Sequence, residues 1–576
     1  MVMSIARLSA GPGYRYLMRH TARGDAPDRA GEAMTRYYTN PGYPAGIWLG
    51  HGLDGLADGN GLKAGSIVTE EQMARLFGAA HDPVIDTVLG REYATSAPLA
   101  ERIAAAVTAL PDDLPDAVRE AKIAAITATE KAKPNRASVA GFDLTFSVPK
   151  SVSVLWALSD ASVQRAIVDA HHAAIGVTLG LIERDVARTR TGRNGTARVP
   201  VKGLIAAGFD HHDSRAGDPQ LHSHLTVANR AQTVGDGRWR TLDSHSLYAA
   251  AVAHSDTYDL LLADNITRAL GLAWETRLRG RNRNPRRELA DIPDHLIAEF
   301  SQRSAAITAA KDHAIAGFVA EHRRQPTGPE AVRIRQQATL ATRQPKKATS
   351  LAEYTQQWAR RAGLILGADP RDWARHVTDA AAHHPRPATT SAIVDDATVE
   401  KLAAAALDEV EAKRSTWSRW NLVAAACRAM GAAGIHFTNA DELLAARDRA
   451  TRASMDRSVL LNPTATPEAP TVTDVTTGRS IYDPPEVFTS PEVLAAEDNL
   501  LQATDDMSAP TVPAATVERI VTTSLPDRDL TLQPDQAGAV RSVCSSGRVT
   551  DVLVGPAGTG KTTTMAGLRA AWEHEH

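Results

Sequence analysis

Leu221-His-Ser-His-Leu-Thr-Val-Ala-Asn229 sets His222, His224 and Thr226 in one register and Leu221, Ser223, Leu225 and Val227 in the other. That period of two reads as a β-strand, on which residues i and i+2 share a face. His222 and His224 therefore project side by side, within reach of one cation. The stretch from Gly203 to Phe209 is small and apolar and reads as a preceding strand, and the polar segment 210–219 as the loop between them. A hairpin of this kind brings His211 to the face of His222 and His224, while His212 points the other way. Three neutral imidazoles leave coordination positions open for water or phosphate oxygens, as a catalytic metal site requires. Asp143-Leu-Thr-Phe-Ser147 also alternates and reads as a strand that Pro149 ends, with a helix over 151–160. Asp143 can orient an imidazole or take a proton. Among 20 histidines a His-x-His pair also fits two satisfied core residues, so the pair alone does not decide the matter.

Tyr14, Tyr16, Tyr37 and Tyr38 place four of the chain's ten tyrosines within its first 38 residues. A phenol is a poor nucleophile at its ordinary pKa near 10. A metal that withdraws charge from a phosphate, with a base nearby, makes its attack feasible and stores the bond energy in a phosphotyrosine. Amphipathic core tyrosines fit the same composition.

The 576 residues suggest three or four domains. No run of 18 apolar residues appears and the N-terminus lacks a secretory pattern, so the expectation is a cytoplasmic protein of a bacterial cell, without a membrane partner. Cys427 and Cys544 form no CxxC pair, which argues against a disulfide framework or a cysteine-based zinc site. Net charge is −3, but 52 of the 64 basic residues are Arg, which suits bidentate phosphate contacts; a GC-rich genome has the same effect. Arg277, Arg279, Arg281, Arg283, Arg286 and Arg287 form a dense run that reads either as a phosphate path or as a solvated loop. Asp236-Gly237 marks a hairpin turn.

Strand-like segments concentrate in residues 1–300. The span 301–460 is Ala-rich with helical spacing, as in Leu351 to Leu364, Asp396 to Lys413 and Trp420 to Ala433. Residues 461–515 read as an irregular connector, interrupted by one helix with Ser490 as N-cap and Pro491 in its first turn. In 516–576, Gly555-Pro-Ala-Gly-Thr-Gly-Lys-Thr562 fits the GxxxxGK[ST] phosphate loop. Val549 to Val554 reads as its strand and Thr563 to Trp572 as its helix. The backbone of Gly555, Gly558 and Gly560 would cradle phosphates, Lys561 would reach the β- and γ-phosphates, and Thr562 would bind Mg²⁺, with ATP and Mg²⁺ as the cofactor implied.

Taken together these segments resemble the MobF-type conjugative relaxases, the TrwC/TraI relaxase–helicase family. Ser4-Ile-Ala-Arg-Leu-Ser-Ala-Gly11 with Tyr14-Arg-Tyr16 resembles the family's first tyrosine motif, and Tyr37-Tyr38 its second. Trp48-Leu-Gly-His-Gly52 follows in family order. Then come Gly141-Phe-Asp-Leu-Thr-Phe-Ser-Val-Pro-Lys-Ser-Val-Ser153, His211-His-Asp-Ser-Arg215, Asp218-Pro-Gln-Leu-His-Ser-His224 and Gly237-Arg-Trp-Arg-Thr-Leu242. Gln536 resembles the adenine-reading glutamine of superfamily 1 helicases. The resemblance implies an α+β fold: an HUH-type palm of antiparallel sheet with flanking helices over 1–300, then a helical region and the start of a P-loop α/β helicase domain. It implies His211, His222 and His224 as ligands of Mg²⁺ or Mn²⁺, Asp143 as the assisting acid, and Tyr16 or Tyr14 as nucleophile. Tyr37 and Tyr38 would serve a second transfer step. The reaction implied is cutting of one strand at an origin of transfer, leaving a 5′-phosphotyrosine and a free 3′-hydroxyl. Arg215, Arg279, Arg281 and Arg283 are the candidate DNA contacts. The partners implied are single-stranded origin DNA, relaxosome accessory proteins and the coupling protein of a type IV secretion system. Arg15 separates two tyrosines that are adjacent in the best-known members; anchoring on Ser9-Ala-Gly11 favours Tyr16.

An acidic Mg²⁺ motif, an arginine finger and a second motor lobe do not fit in the 14 residues after Thr562. The expectation is a relaxase–helicase truncated after the phosphate loop, without ATP-driven unwinding. Two other functions compete: an origin-binding remnant that does not cut, and a P-loop ATPase fragment with an accessory N-terminal domain.

Overall fold

The computed structural model describes residues 3–18, 44–94, 99–111, 114–132, 138–278, 284–343, 349–383, 394–462, 485–523, 531–556 and 558–575. The described residues fall into two compact units. One takes in residues 3–410, 418–454 and 485–486; the other takes in 411–417, 455–462 and 487–575.

The first unit is built on a five-stranded antiparallel sheet. Its strands are β1 (Met3–Ser9), β2 (Ile47–Leu49), β3 (Val139–Ser147), β6 (Ala206–Asp213) and β7 (Pro219–Ala228), in the order β1-β3-β7-β6-β2. Between β3 and β6 the chain makes a small hairpin of β4 (Arg188–Thr191) and β5 (Ala197–Pro200). Alternation along β3 sends Phe142, Leu144 and Phe146 to one face and Asp143, Thr145 and Ser147 to the other. The helices Ala161–Asp185 and Ser244–Leu270 cover the first face. Tyr258 meets the Phe146 ring edge-on at 5.0 Å, and Ser255 Oγ accepts from the Met3 amide at 3.0 Å. Each helix starts on an Asp N-cap: Asp160 accepts from the amides of Ser162 and Val163, and Asp243 from that of His245. Among the described residues, Ala161–Asp185 is the one helix long and apolar enough by length and composition to cross a membrane. Its apolar side is a core face, with Ile167, Ala174, Leu179 and Ile182 buried.

The second face of the sheet is divided. Toward Gly141 and Ala228 it is sealed by Tyr14, Leu17, Trp48, Leu76, Phe77 and Phe209. Gly141 permits this: a Cβ there would stand 3.0 Å from the Phe77 ring and 2.4 Å from the Val227 carbonyl oxygen. Toward Ser147 and His222 the same face is only partly covered, and there the polar residues gather.

Two buried histidines on the covering helices make stability depend on pH. Burial pushes the pKa of His171 down to about 3 and that of His254 down to about 4. Both are neutral in the fold and take up protons in the unfolded chain below about pH 6.5. Between that value and their folded pKa values the unfolded state binds more protons, so stability falls as pH falls. The urea midpoint of the first unit should drop from pH 7 to pH 5, and His254→Leu should flatten that decline. A midpoint that holds steady over this range contradicts the assignment.

The first unit continues past residue 300, where the sequence suggested a separate helical region. The helix Leu351–Leu366 grips the loop between β6 and β7. Tyr354 donates to Asp213 Oδ2 at 3.3 Å, Trp358 Nε1 to the Gly217 carbonyl at 2.8 Å, and Arg361 Nη2 to Asp218 Oδ1 at 3.1 Å. From the other side Lys150 Nζ donates to the Pro219 carbonyl at 2.8 Å. Helical periodicity showed that this segment is a helix, but carried no information on what its aromatic face would meet.

In the second unit, Val459–Leu460 pairs with Phe488–Thr489, and Ser490 caps the helix Pro491–Asp505 as its sequence suggests. Part of the expected connector, 463–484, lies outside the described residues. Helices Ala514–Thr522, Pro534–Ser545 and Lys561–Glu575 share a core of Val517, Ile520, Leu532, Val540, Cys544 and Leu568. Val549 to Val554, expected as a strand, is not one. It has no strand beside it among the described residues, and a lone strand cannot satisfy its own backbone groups. Val552 is 73% and Val554 86% exposed. Cys427 and Cys544 are both buried free thiols.

Candidate active site

The pairing of β6 with β7 sets His211 opposite His222 and Phe209 opposite His224, and β3 sets Thr145 opposite His224. Directly paired residues point to one face, so the three imidazoles meet on the partly open side of the sheet. Their centroids lie 5.0 to 5.3 Å apart, and one ligand atom from each falls within 4.8 Å of the others. His222 Nδ1 contacts the Gln220 carbonyl at 2.7 Å, and His224 Nδ1 contacts Asp143 at 2.8 and 2.9 Å. Carbonyls and carboxylates only accept, so each Nδ1 carries the proton. A neutral ring then presents its Nε2 lone pair, the arrangement that orients histidine toward a metal. The donor set fits one divalent cation.

Tyr16 comes over this site from β1. Gly11, at φ 77°, turns the chain into the short helix Pro12–Tyr14, and Arg15–Met18 continues it back across β3. The Tyr16 hydroxyl donates to Asp143 Oδ2, and its ring stands edge-on to His224 at 6.0 Å. Asp143 thus joins the phenol to a candidate ligand. Burial, together with the negative charge of Asp143, pushes the Tyr16 pKa well above its ordinary value, so ionisation of this phenol needs a compensating positive charge. Tyr16 remains 38% exposed, whereas Tyr14 is 3% exposed and its hydroxyl donates to Glu70 at 2.9 Å. Burial and the Glu70 contact raise the Tyr14 pKa too, but away from the imidazoles.

His212 points to the opposite face, among Trp156, Tyr354 and Trp358. Arg215 sits part-buried at the β6–β7 turn. Tyr37, Tyr38, Arg279, Arg281 and Arg283 lie outside the described residues. The flanking arginines of that run are engaged: Arg277 with Glu275 and Asp294, Arg286 with Glu288, and Arg287 with Asp259. They brace the hairpin of Trp274–Arg277 with Arg286–Leu289.

A cleft of about 1140 Å³ opens at the other end of β3, beside Val139. Arg7, Arg91, Arg190, Arg230, Arg238 and Arg240 line it against one acid, Glu92, with Tyr93 and Trp239 between them. Val139 and Thr145 are six residues apart on one strand, about 20 Å. This cleft is not legible in the sequence, because its arginines come from five separate segments. The Arg238-Trp-Arg240 triplet was the one local signal.

At the phosphate loop, Gly558 and Gly560 take φ of 86° and 77°, which glycine adopts without strain. Lys561 Nζ folds back on the Gly555 and Pro556 carbonyls at 2.6 and 2.9 Å, and Thr562 at the helix start is exposed. Gln536 Nε2 donates to the Thr559 carbonyl at 3.0 Å, so this glutamine does meet the loop.

The TrwC relaxase family matches residues 10–365 and an AAA domain matches residues 531–576. The multifunctional conjugation protein TraI of Escherichia coli is 33% identical over 177 residues, which are 29% of this chain and 9% of TraI. TraI of strain K12 is 32% identical over 177 residues, the same shares of each chain. The chain therefore spans about a tenth of the length of these relatives. Among solved structures, conjugative relaxase TrwC in complex with oriT DNA, in a copper-bound form, is 22% identical with a TM-score of 0.43. That similarity covers 64% of this chain and 99% of the solved TrwC chain. With the relaxase match extending over more than half of its residues, the chain belongs to the TrwC relaxase family.

Proposed function

We propose that this chain is a conjugative relaxase that cuts and rejoins one DNA strand at an origin of transfer. The observation that carries the proposal is the meeting of the Tyr16 hydroxyl, Asp143 and three imidazoles in one part-exposed site. His211, His222 and His224 would hold a divalent cation, Mg²⁺ or Mn²⁺, which would draw charge from a bound phosphodiester. Asp143 takes the Tyr16 proton as the phenolic oxygen attacks phosphorus. The new O–P bond makes a 5′-phosphotyrosine, and the 3′-oxygen leaves as a hydroxyl after gaining a proton. Return of that 3′-hydroxyl, or of another, reverses the step. Asp143 also keeps His224 in the tautomer that presents Nε2. Tyr37 and Tyr38 are proposed for a second transfer. At the phosphate loop, Lys561, Thr562 and Gln536 are proposed to hold ATP with Mg²⁺.

The arginine cleft is proposed to carry the strand's phosphates on their way to the site, chiefly through Arg91 and Arg238, since Arg190 pairs with Asp243 and Arg240 with Asp236; Arg215, Arg279, Arg281 and Arg283 remain further candidate contacts. Arg91 and Arg238 are exposed on its wall. Each phosphate contact on single-stranded DNA contributes about 0.7 to the slope of log affinity against log salt. Arg91→Ala with Arg238→Ala should weaken binding of an origin oligonucleotide and flatten that slope by about 1.4, measured by fluorescence anisotropy. An unchanged slope removes the cleft from the DNA path.

The name and family of the relatives support conjugation as the setting; a bacterial cytoplasm, relaxosome proteins and a secretion-system coupling protein are proposed with it. The test is incubation with labelled single-stranded origin DNA and Mg²⁺ or Mn²⁺, followed by a denaturing gel. A metal-dependent covalent adduct supports the relaxase. Tight origin binding with no adduct under any metal supports instead a protein that holds the origin without cutting.

A further inference from the structure

Behind the three imidazoles, on the opposite face of the same strands, lies a row of polar groups that the proposed reaction does not use, buried at Ser223, His171 and Tyr258 and reaching solvent at Asp210 and His172. Ser223 stands between His222 and His224 and pairs directly with Asp210, the neighbour of His211. The Ser223 hydroxyl donates to Asp210 Oδ1. A hydroxyl has one proton, so its other partner, His171 Nε2 at 2.8 Å, must donate to it. His171 Nδ1 then accepts, and the Tyr258 hydroxyl at 2.7 Å supplies the proton. His172 Nε2 reaches the second Asp210 oxygen at 2.8 Å. Every bond in the row therefore has one allowed direction. His171 and Tyr258 are fully buried and Ser223 is 4% exposed, so little water competes for the bonds among these three.

The location gives the row a task. The register of β6 against β7 shifts between His211 and Asp213, just beyond the His211–His222 pair. Such a bulge loosens pairing, and a slip of one residue turns every side chain to the other face. A slip here would scatter the candidate ligands. The Asp210–Ser223 pair fixes the register one step from the bulge, and the helices Ala161–Asp185 and Ser244–Leu270 hold that pair from behind.

We propose that His171, acting through Ser223 and Asp210, is a positioning residue that locks the two histidine-bearing strands in the register the metal centre needs. The inference rests on the three-imidazole metal reading. It is tested by titrating the intact chain with cobalt(II) and following visible absorption, for the wild type, Ser223→Ala and Tyr258→Phe. Thermal melts without metal set a temperature at which each variant is folded. Either folded variant should bind cobalt about tenfold or more weakly than the wild type, with an altered spectrum. If Ser223→Ala does not fold, Tyr258→Phe, which keeps the ring and sits on the covering helix, carries the test. Wild-type affinity and spectrum in the folded variants overturn the positioning role and leave the metal reading standing. Absence of cobalt binding by the wild type overturns both.

Discussion

Tyr16→Phe should abolish the covalent DNA adduct, a loss of at least about a thousandfold in rate, while Tyr14→Phe should keep it. The two tyrosines differ in what their hydroxyls meet. That of Tyr16 reaches Asp143 beside the imidazoles, and that of Tyr14 is tied to Glu70 in the apolar packing that seals the far half of the sheet. Losing the Tyr14 hydroxyl removes one hydrogen bond and should cost about 1 kcal/mol of stability, with no direct effect on the chemistry. A gel with Mn²⁺ and origin DNA separates the cases, and a thermal melt checks the second. Adduct formation by Tyr16→Phe that matches the wild type would remove this residue from the reaction.

The second large effect concerns the imidazoles and the carboxylate that links them to the phenol. His222→Ala or His224→Ala should lose both metal binding and adduct formation, and EDTA should reproduce that loss in the wild type. Asp143→Asn should separate the two functions. The amide oxygen can still accept from His224 Nδ1, so metal affinity should fall by about 10- to 100-fold at most. The amide cannot take the Tyr16 proton, so adduct formation at saturating metal should fall by about 10²- to 10⁴-fold. Metal affinity by calorimetry and adduct rates at saturating Mn²⁺ decide this. Full adduct rates in Asp143→Asn would mean that the proton leaves by another route.

What was legible in the sequence followed from period-two alternation. His222 and His224 on one face, His211 delivered by a hairpin and His212 turned away all come from strand geometry, and the structure has them so. Asp143 was legible as a residue on a polar strand face, but its contact with Tyr16 was not. That contact depends on the turn at Gly11 and on the neighbouring places of β1 and β3 in the sheet. Anchoring on Ser9-Ala-Gly11 favours Tyr16 over Tyr14, and the packing adds the reason: Tyr14 ends the helix Pro12–Tyr14 against Glu70, whereas Tyr16 lies in Arg15–Met18 against Asp143. The row behind the histidines stayed hidden because His171 and Tyr258 come from helices 52 and 35 residues away from Ser223 in sequence. The grip of Leu351–Leu366 on the β6–β7 loop was hidden for the same reason. Val549 to Val554 misled in the other direction: an apolar run promises a strand, but a strand forms only beside a partner.

Tyr16 is proposed as the residue that joins DNA. Arg15 between the two tyrosines makes this directly measurable, since trypsin cuts after Arg7, Arg15 and Arg19 and releases Tyr14 and Tyr16 on separate peptides. The adduct formed with a short origin oligonucleotide and Mn²⁺ would be trimmed with nuclease, digested with trypsin and sequenced by mass spectrometry. The nucleotide should lie on the peptide Tyr16-Leu-Met-Arg19. A nucleotide on the peptide that carries Tyr14, or first on Tyr37 or Tyr38, would contradict it.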